Sequence, residues 1–264
     1  MKAGSGMTEI INNTEVYYEK TGEGNNRVLL LHGWGCDISL MRPVADKLSP
    51  HFSLLIPDFP GHGRSGEPPE PWGVPEFASC LAELLKREHF APCAVIAHSF
   101  GARVAAWIAA NEPELFTRMI LTGAAGIRPP QTEEGKKRAA TYQKWKHLEQ
   151  QLEKIPLMKG AAVILKHQIQ HKYGSKDYNA LNDEMKKTFV KVIQQDLSDI
   201  YCRIHQPTLL MWGDQDGETP LWMGRQMEQS MQDAALILLE GGTHFAYLEQ
   251  LDRFAIIAEK FLTP

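Results

Sequence analysis

Polar and apolar positions first alternate in two short stretches, residues 8–11 and 14–19, on either side of Asn12-Asn13. A period of two buries one face of a strand, and asparagine tolerates positive φ, so the pattern predicts a β-hairpin. The pattern then changes character. Residues 28–31 form a continuous apolar run that opens into His32-Gly33-Trp34-Gly35, and Met41, Val44, Ala45 and Leu48 follow at helical spacing. Further apolar runs lie at 52–56, 94–97 and 119–121, separated by helical patterns at about 75–86 and 102–111. Short runs without alternation suit strands covered on both faces. Their alternation with helices predicts βαβ units and a mostly parallel sheet. Pro68, Pro69 and Pro71 mark 66–73 as a loop.

This rhythm stops near residue 125 and resumes after Pro207. Between them no strand pattern is found. Instead Tyr142, Trp145, Leu148 and Leu152, and later Phe189, Val192, Ile193 and Leu197, recur at helical spacing. Beyond Pro207, 208–212 and 235–239 read as strands, 221–231 and 254–262 as helices. The expected organisation is an α/β core of residues 1–124 and 206–264, interrupted by a helical insertion of residues 125–205 that would serve as a cap.

Composition narrows the function classes. The 264 residues carry a net charge of −4. Lys136, Lys137, Arg138, Lys144 and Lys146 gather, but Glu133, Glu134, Glu149 and Glu153 intersperse them, which describes a solvated helix face. No basic footprint for nucleic acid results. Cys36, Cys80, Cys93 and Cys202 form no CxxC pair and read as reduced thiols. No apolar run is long enough to span a membrane, and MKAGSGMTEI lacks the apolar centre of a secretion signal, so a cytoplasmic location is expected. GxxxxGK[ST] does not occur, and no cofactor is expected. His167 and His171 stand four apart, but without a neighbouring cysteine or glutamate no metal site is expected. The partner that remains is a small-molecule substrate.

The chemistry gathers at the ends of the apolar runs. A serine hydroxyl is a poor nucleophile unless a base is positioned beside it, and it must stand clear of its surroundings. A strand that turns abruptly into a helix achieves this if the residues two before and two after are small. Ala97-His98-Ser99-Phe100-Gly101 has that form, with Ala in the place where glycine is usual. An oxyanion needs backbone N–H donors, which the amides of Phe100 and Trp34 would supply, the latter from the glycine-rich segment after residues 28–31. Gly241-Gly242-Thr243-His244-Phe245 presents a histidine after the last strand, and Trp212-Gly213-Asp214-Gln215-Asp216 presents two candidate acids after the strand before it. The order Ser99, Asp216, His244 is one that strand-ordered serine hydrolases use.

The segments LLLHGWG, DFPGHGRS, VIAHSFGARVA, LLMWGDQDGETP and GGTHF resemble those of α/β-hydrolase-fold proteins along nearly the whole chain. The resemblance implies a mostly parallel eight-stranded sheet with helices on both faces and a helical cap. In the family the acid is usually the aspartate of W-G-x-x-D-x-x-x-P, which falls on Asp216 with Pro220 following; Asp214 is the competitor. A serine in the elbow sets the chain apart from haloalkane dehalogenases and epoxide hydrolases, whose members use aspartate there. HGWG and the helix after it resemble the methyl esterase of biotin synthesis, whose elbow differs. Arg103, one helical turn after Ser99, resembles the arginine with which lyase-type members of menaquinone synthesis handle substrate carboxylates; a structural arginine bonded to loop carbonyls is the alternative. Trp145 in the insertion is a candidate substrate contact. The expectation is therefore a serine hydrolase of a small carboxylic ester. A C–C bond hydrolase or lyase and a small-molecule receptor that retains the triad are the rivals.

Overall fold

A computed structural model describes residues 5–128, 132–158, 160–165, 168 and 176–263. Among them eight strands form one sheet: β1 (Ser5–Ile11), β2 (Thr14–Thr21), β3 (Asn26–Leu31), β4 (Phe52–Pro57), β5 (Cys93–His98), β6 (Phe116–Thr122), β7 (Thr208–Gly213) and β8 (Ala234–Leu239). Their spatial order is β1-β2-β4-β3-β5-β6-β7-β8. The β1–β2 hairpin turns through Asn12 and Asn13, both at positive φ, and β2 joins β4 antiparallel; all later pairings are parallel. After β3 the chain adds β4 on one side and then crosses to add β5 on the other. A crevice opens at the carboxyl ends of strands where such a reversal occurs. The loop after β3 and the turn after β5 meet there.

The apolar runs are continuous because both faces of the sheet are covered. Within β3, Leu29 and Leu31 belong to one hydrophobic core and Val28 and Leu30 to the other. The first core takes in α2 (Val74–Arg87) and α3 (Phe100–Asn111). The second takes in α1 (Ile38–Leu48) and the closing helix. Helix α1 starts where Asp37 accepts from the Ser39 amide at 2.7 Å.

Two compact units emerge from the contacts, Met1–Ile127 with Val190–Pro264, and Arg128–Phe189. The second contains α4 (Glu133–Glu153), α5 (Lys176–Ala180) and the first part of α6 (Asp183–Gln194), with no strand among its described residues. In α4, Thr132 caps the first turn by accepting from the Gly135 amide at 3.0 Å, while Trp145 and Leu148 are exposed. Residues 190–205, expected in the insertion, belong instead with the sheet. Val192, Leu197, Tyr201 and Ile204 are buried in its core, and the Tyr201 hydroxyl donates to the Ala125 carbonyl at 2.7 Å. Helical spacing marks an apolar stripe but not the body on which it docks. The sheet-containing unit also holds α7 (Ser198–Tyr201), α8 (Leu221–Ser230), α9 (Ala246–Glu249) and α10 (Leu251–Leu262).

Candidate active site

Ser99 sits between β5 and α3 with φ 51° and ψ −108°, a region that residues with a Cβ avoid. The strain is held by hydrogen bonds on both sides. The Ser99 amide donates to the Thr122 carbonyl at 3.1 Å, and the Ser99 carbonyl accepts from Ala102 and Ala125. Close packing explains the small neighbours. A side chain at Gly101 would lie 2.7 Å from the His32 carbonyl and 2.8 Å from the Leu31 Cβ, so only glycine lets α3 approach β3. Ala97 fits without exposure. The Phe100 amide opens α3, whose first N–H groups have no partner within the helix and form the positive end of its dipole. The Phe100 side chain itself is core, ringed by Trp34 at 5.2 Å, Phe59 at 5.0 Å and Phe77 at 5.0 Å between centroids. It therefore offers the crevice its backbone and not its ring.

Two strands further along the sheet, β7 ends in Gly213 and the chain turns through Asp216. Here the two candidate acids separate. Asp214 is exposed and accepts from the Gly241 amide at 2.6 Å, a tie between two loops. Asp216 is buried, and its Oδ2 accepts from the Nδ1–H of His244 at 2.9 Å. Three further donors complete the carboxylate. Oδ1 accepts from the amides of Glu218 at 2.9 Å and Thr219 at 2.8 Å, and Oδ2 accepts from the Thr219 hydroxyl at 2.8 Å. Burial alone would raise the Asp216 pKa, but the bonds from His244 and Thr219 outweigh it and hold the carboxyl below its usual range. Gly123, just past β6, lies against the same pair. Its φ is +50°, and a Cβ there would come within 3.1 Å of His244 Nδ1 and 3.3 Å of Asp216 Oδ2. Neither Thr219 nor Gly123 stood out in the sequence, because a turn threonine and a loop glycine each have ordinary uses.

Histidines support both sides of the crevice. His98 precedes Ser99, and its Nε2–H donates to the His244 carbonyl at 3.0 Å, with the two rings 4.7 Å apart. This tie brings the His244 loop to the end of β5 beside Ser99. His32 is fully buried; its Nδ1–H donates to the Gly33 carbonyl at 2.7 Å and its Nε2 accepts from the Phe59 amide at 3.1 Å, which selects the tautomer. Burial lowers the pKa of both His32 and His98 to about 3, so both are neutral. His62 donates to the Pro60 carbonyl and packs edge-on against Trp34 at 4.8 Å.

The other candidates lie elsewhere. The Arg103 guanidinium donates to the carbonyls of Val192 at 3.2 Å and Gln195 at 3.0 Å, at the C-terminal end of α6 where cations are favoured. Trp145 lies on α4 in the second unit, 42% exposed. His167 and His171 fall outside the described residues.

A profile of the Alpha/beta hydrolase family matches residues 28–256. The chain belongs to the alpha/beta hydrolase family. Among relatives of this alpha/beta hydrolase, the pimeloyl-[acyl-carrier protein] methyl ester esterase of Chromobacterium violaceum is 26% identical over 247 residues, which cover 90% of this chain and 94% of the relative. A hydrolase from Pseudomonas aeruginosa superposes with a TM-score of 0.75 at 21% identity over the whole of both chains. The enol-lactonase from Burkholderia xenovorans LB400 does so with 0.74 at 24% identity, covering 98% of this chain and 100% of its own. At these identities the two structures attest the alpha/beta hydrolase fold. Among the described residues no helix is long and apolar enough to cross a membrane.

Proposed function

We propose that this alpha/beta hydrolase is a serine carboxylic ester hydrolase in which Ser99 is the nucleophile, His244 the general base and Asp216 its orienting acid. The observation that carries the reading is the 2.9 Å bond from His244 Nδ1 to Asp216 Oδ2. With Nδ1 protonated and engaged, the lone pair of the imidazole is left on Nε2, the atom a base requires. Ser99 Oγ attacks the ester carbonyl while its proton passes to His244 Nε2. The tetrahedral oxyanion is met by the amides of Phe100 and Trp34. As the intermediate collapses, the same proton goes to the departing alkoxide, which leaves as alcohol. Water then attacks the acyl-enzyme, giving up a proton to His244, and the carboxylic acid is released as Ser99 recovers its hydrogen.

Relatives that are pimeloyl-[acyl-carrier protein] methyl ester esterases agree in reaction class with this reading. The helical insertion is read as the cap that selects substrate; Trp145, Leu148 and Leu157 give it the apolar surface that acyl groups need. A lyase-like reading asks Arg103 to receive a substrate carboxylate, and the two carbonyls that already hold its guanidinium favour the esterase. Turnover of p-nitrophenyl acetate, butyrate and octanoate tests the proposal, together with labelling by a fluorophosphonate. Labelling at Ser99 and its loss in Ser99→Ala, with hydrolysis reduced by several orders of magnitude, are expected. Undiminished hydrolysis by Ser99→Ala overturns the assignment.

A further inference from the structure

We infer that Thr219 is a positioning residue for the reaction, locking the acid–base pair through its hydroxyl. The inference rests on the triad reading above and deepens it. Thr219 touches both partners: its Oγ1 lies 2.8 Å from Asp216 Oδ2 and 3.3 Å from His244 Nδ1. The hydroxyl is itself held in place by three backbone constraints. The Thr219 amide donates to Asp216 Oδ1 at 2.8 Å, and the Thr219 carbonyl accepts from Nε1–H of the buried Trp212 at 2.7 Å. Pro220 follows and fixes the onward direction of the chain. Residue 219 thus cannot move without moving the carboxylate, and it is buried, at 6% exposure.

A carboxylate offers about four lone-pair sites. Here all are used: two backbone amides on Oδ1, and on Oδ2 the hydroxyl of Thr219 and the imidazole of His244. Without the hydroxyl, Oδ2 keeps only the His244 bond, and the two amide bonds on Oδ1 alone resist rotation about the Cβ–Cγ bond. With it, Oδ2 is pinned at the position Nδ1–H needs. When His244 takes the serine proton, the imidazolium forms beside a carboxylate that need not reorganise. On the other side the bare Cα of Gly123 leaves room for this geometry. Among the described residues, the neutral His98 from β5 packs against the His244 ring, and the ring of Tyr247, whose pKa burial raises, lies 4.8 Å from His98. Neither carries charge near neutral pH, so the balance between carboxylate and imidazole is set locally.

Thr219→Val preserves shape and removes the donor; Thr219→Ser preserves the donor. Both are compared with the parent protein on p-nitrophenyl butyrate across pH 5–9, with thermal melting recorded for each. For Thr219→Val, kcat is expected to fall about tenfold while KM stays within about twofold. The acid limb of kcat/KM should also move to higher pH, because a carboxylate stripped of one donor holds the imidazolium more strongly. Thr219→Ser should restore both, within about twofold. A parent-like rate and pH profile in Thr219→Val overturns the inference. So does a kcat loss that serine fails to restore, since that is the mark of a packing role. Should Thr219→Val not fold, the serine variant and Thr219→Ala decide by the same profile. Asp216→Asn and Ser99→Ala are run beside them. If those two are inactive and Thr219→Val is parent-like, this inference alone falls; if those two are active, the triad reading falls.

Discussion

The Nε2–H of His98 donates to the backbone carbonyl of His244 at 3.0 Å, joining residues 146 positions apart in the chain. One end of this bond is the residue before the proposed nucleophile, and the other is the proposed base. A histidine beside the elbow serine thereby acts as a tie between two loops. His98→Phe keeps a ring of similar shape and removes the donor. We expect kcat/KM for p-nitrophenyl butyrate to drop about tenfold, with the melting temperature shifted by only a few degrees. Parent-like kinetics in this variant would show that the tie is dispensable.

The same histidine and His32 bear on acid stability. Burial lowers both pKa values to about 3, against about 6.5 in the unfolded chain. Between those values the unfolded state binds more protons than the folded state, so stability rises with pH there. The contribution is complete above about pH 6.5 and is lost as pH falls toward about 3. Urea midpoints at pH 7.5 and pH 5 should therefore differ, and His98→Phe should narrow the gap. An unchanged gap would mean that His98 protonates no more readily on unfolding.

Asp216 and Asp214 stand two residues apart with different partners, an imidazole and a loop amide. Asp216→Asn is expected to lower kcat on the order of 10⁴-fold, as removal of a triad acid does. Asp214→Asn keeps an oxygen to accept from Gly241 and should change kcat less than about threefold. A reversed ranking in steady-state kinetics would transfer the role to Asp214.

Gly123 tests how closely the pair is fitted. An alanine there must adopt φ near +50° and bring its methyl within 3.1 Å of Nδ1 and 3.2 Å of Cε1 of His244. The backbone conformation alone costs roughly 1–2 kcal/mol. Displacing the imidazole should lower kcat by about tenfold or more. Chemical denaturation and kinetics read the two effects separately; retention of full activity would mean that His244 has room to shift.

Arg103 separates stability from catalysis. Losing its bonds to the carbonyls of Val192 and Gln195 in Arg103→Ala should cost roughly 1–3 kcal/mol by urea denaturation. For neutral p-nitrophenyl esters kcat/KM should remain within about twofold. A large loss confined to esters bearing a free carboxylate would favour the lyase-like reading.

Much of this was legible in the linear chain because periodicity and strand ends are local properties. Apolar runs of three to five residues announce strands covered on both faces, and Ser99 and His244 each lie within five residues of the end of such a run. A mostly parallel sheet follows from the alternation of such runs with helices. Local pattern is silent on what meets across the sheet. Residues 190–205 carry the same helical stripe as the insertion, yet Leu197, Tyr201 and Ile204 pack into the sheet's core. The elbow assigns a role to the Phe100 amide but says nothing of its ring, which is enclosed by Trp34, Phe59 and Phe77. Spacing put two aspartates within reach of His244. The course of the turn from 213 to 219 decided between them, since the amides of Glu218 and Thr219 fold back onto Asp216 alone. Thr219, Gly123 and the His98 tie were decided only in three dimensions. Each acts by a contact between segments that the fold brings together, and a hydrogen bond or a missing methyl at such a contact leaves no periodic trace in the sequence.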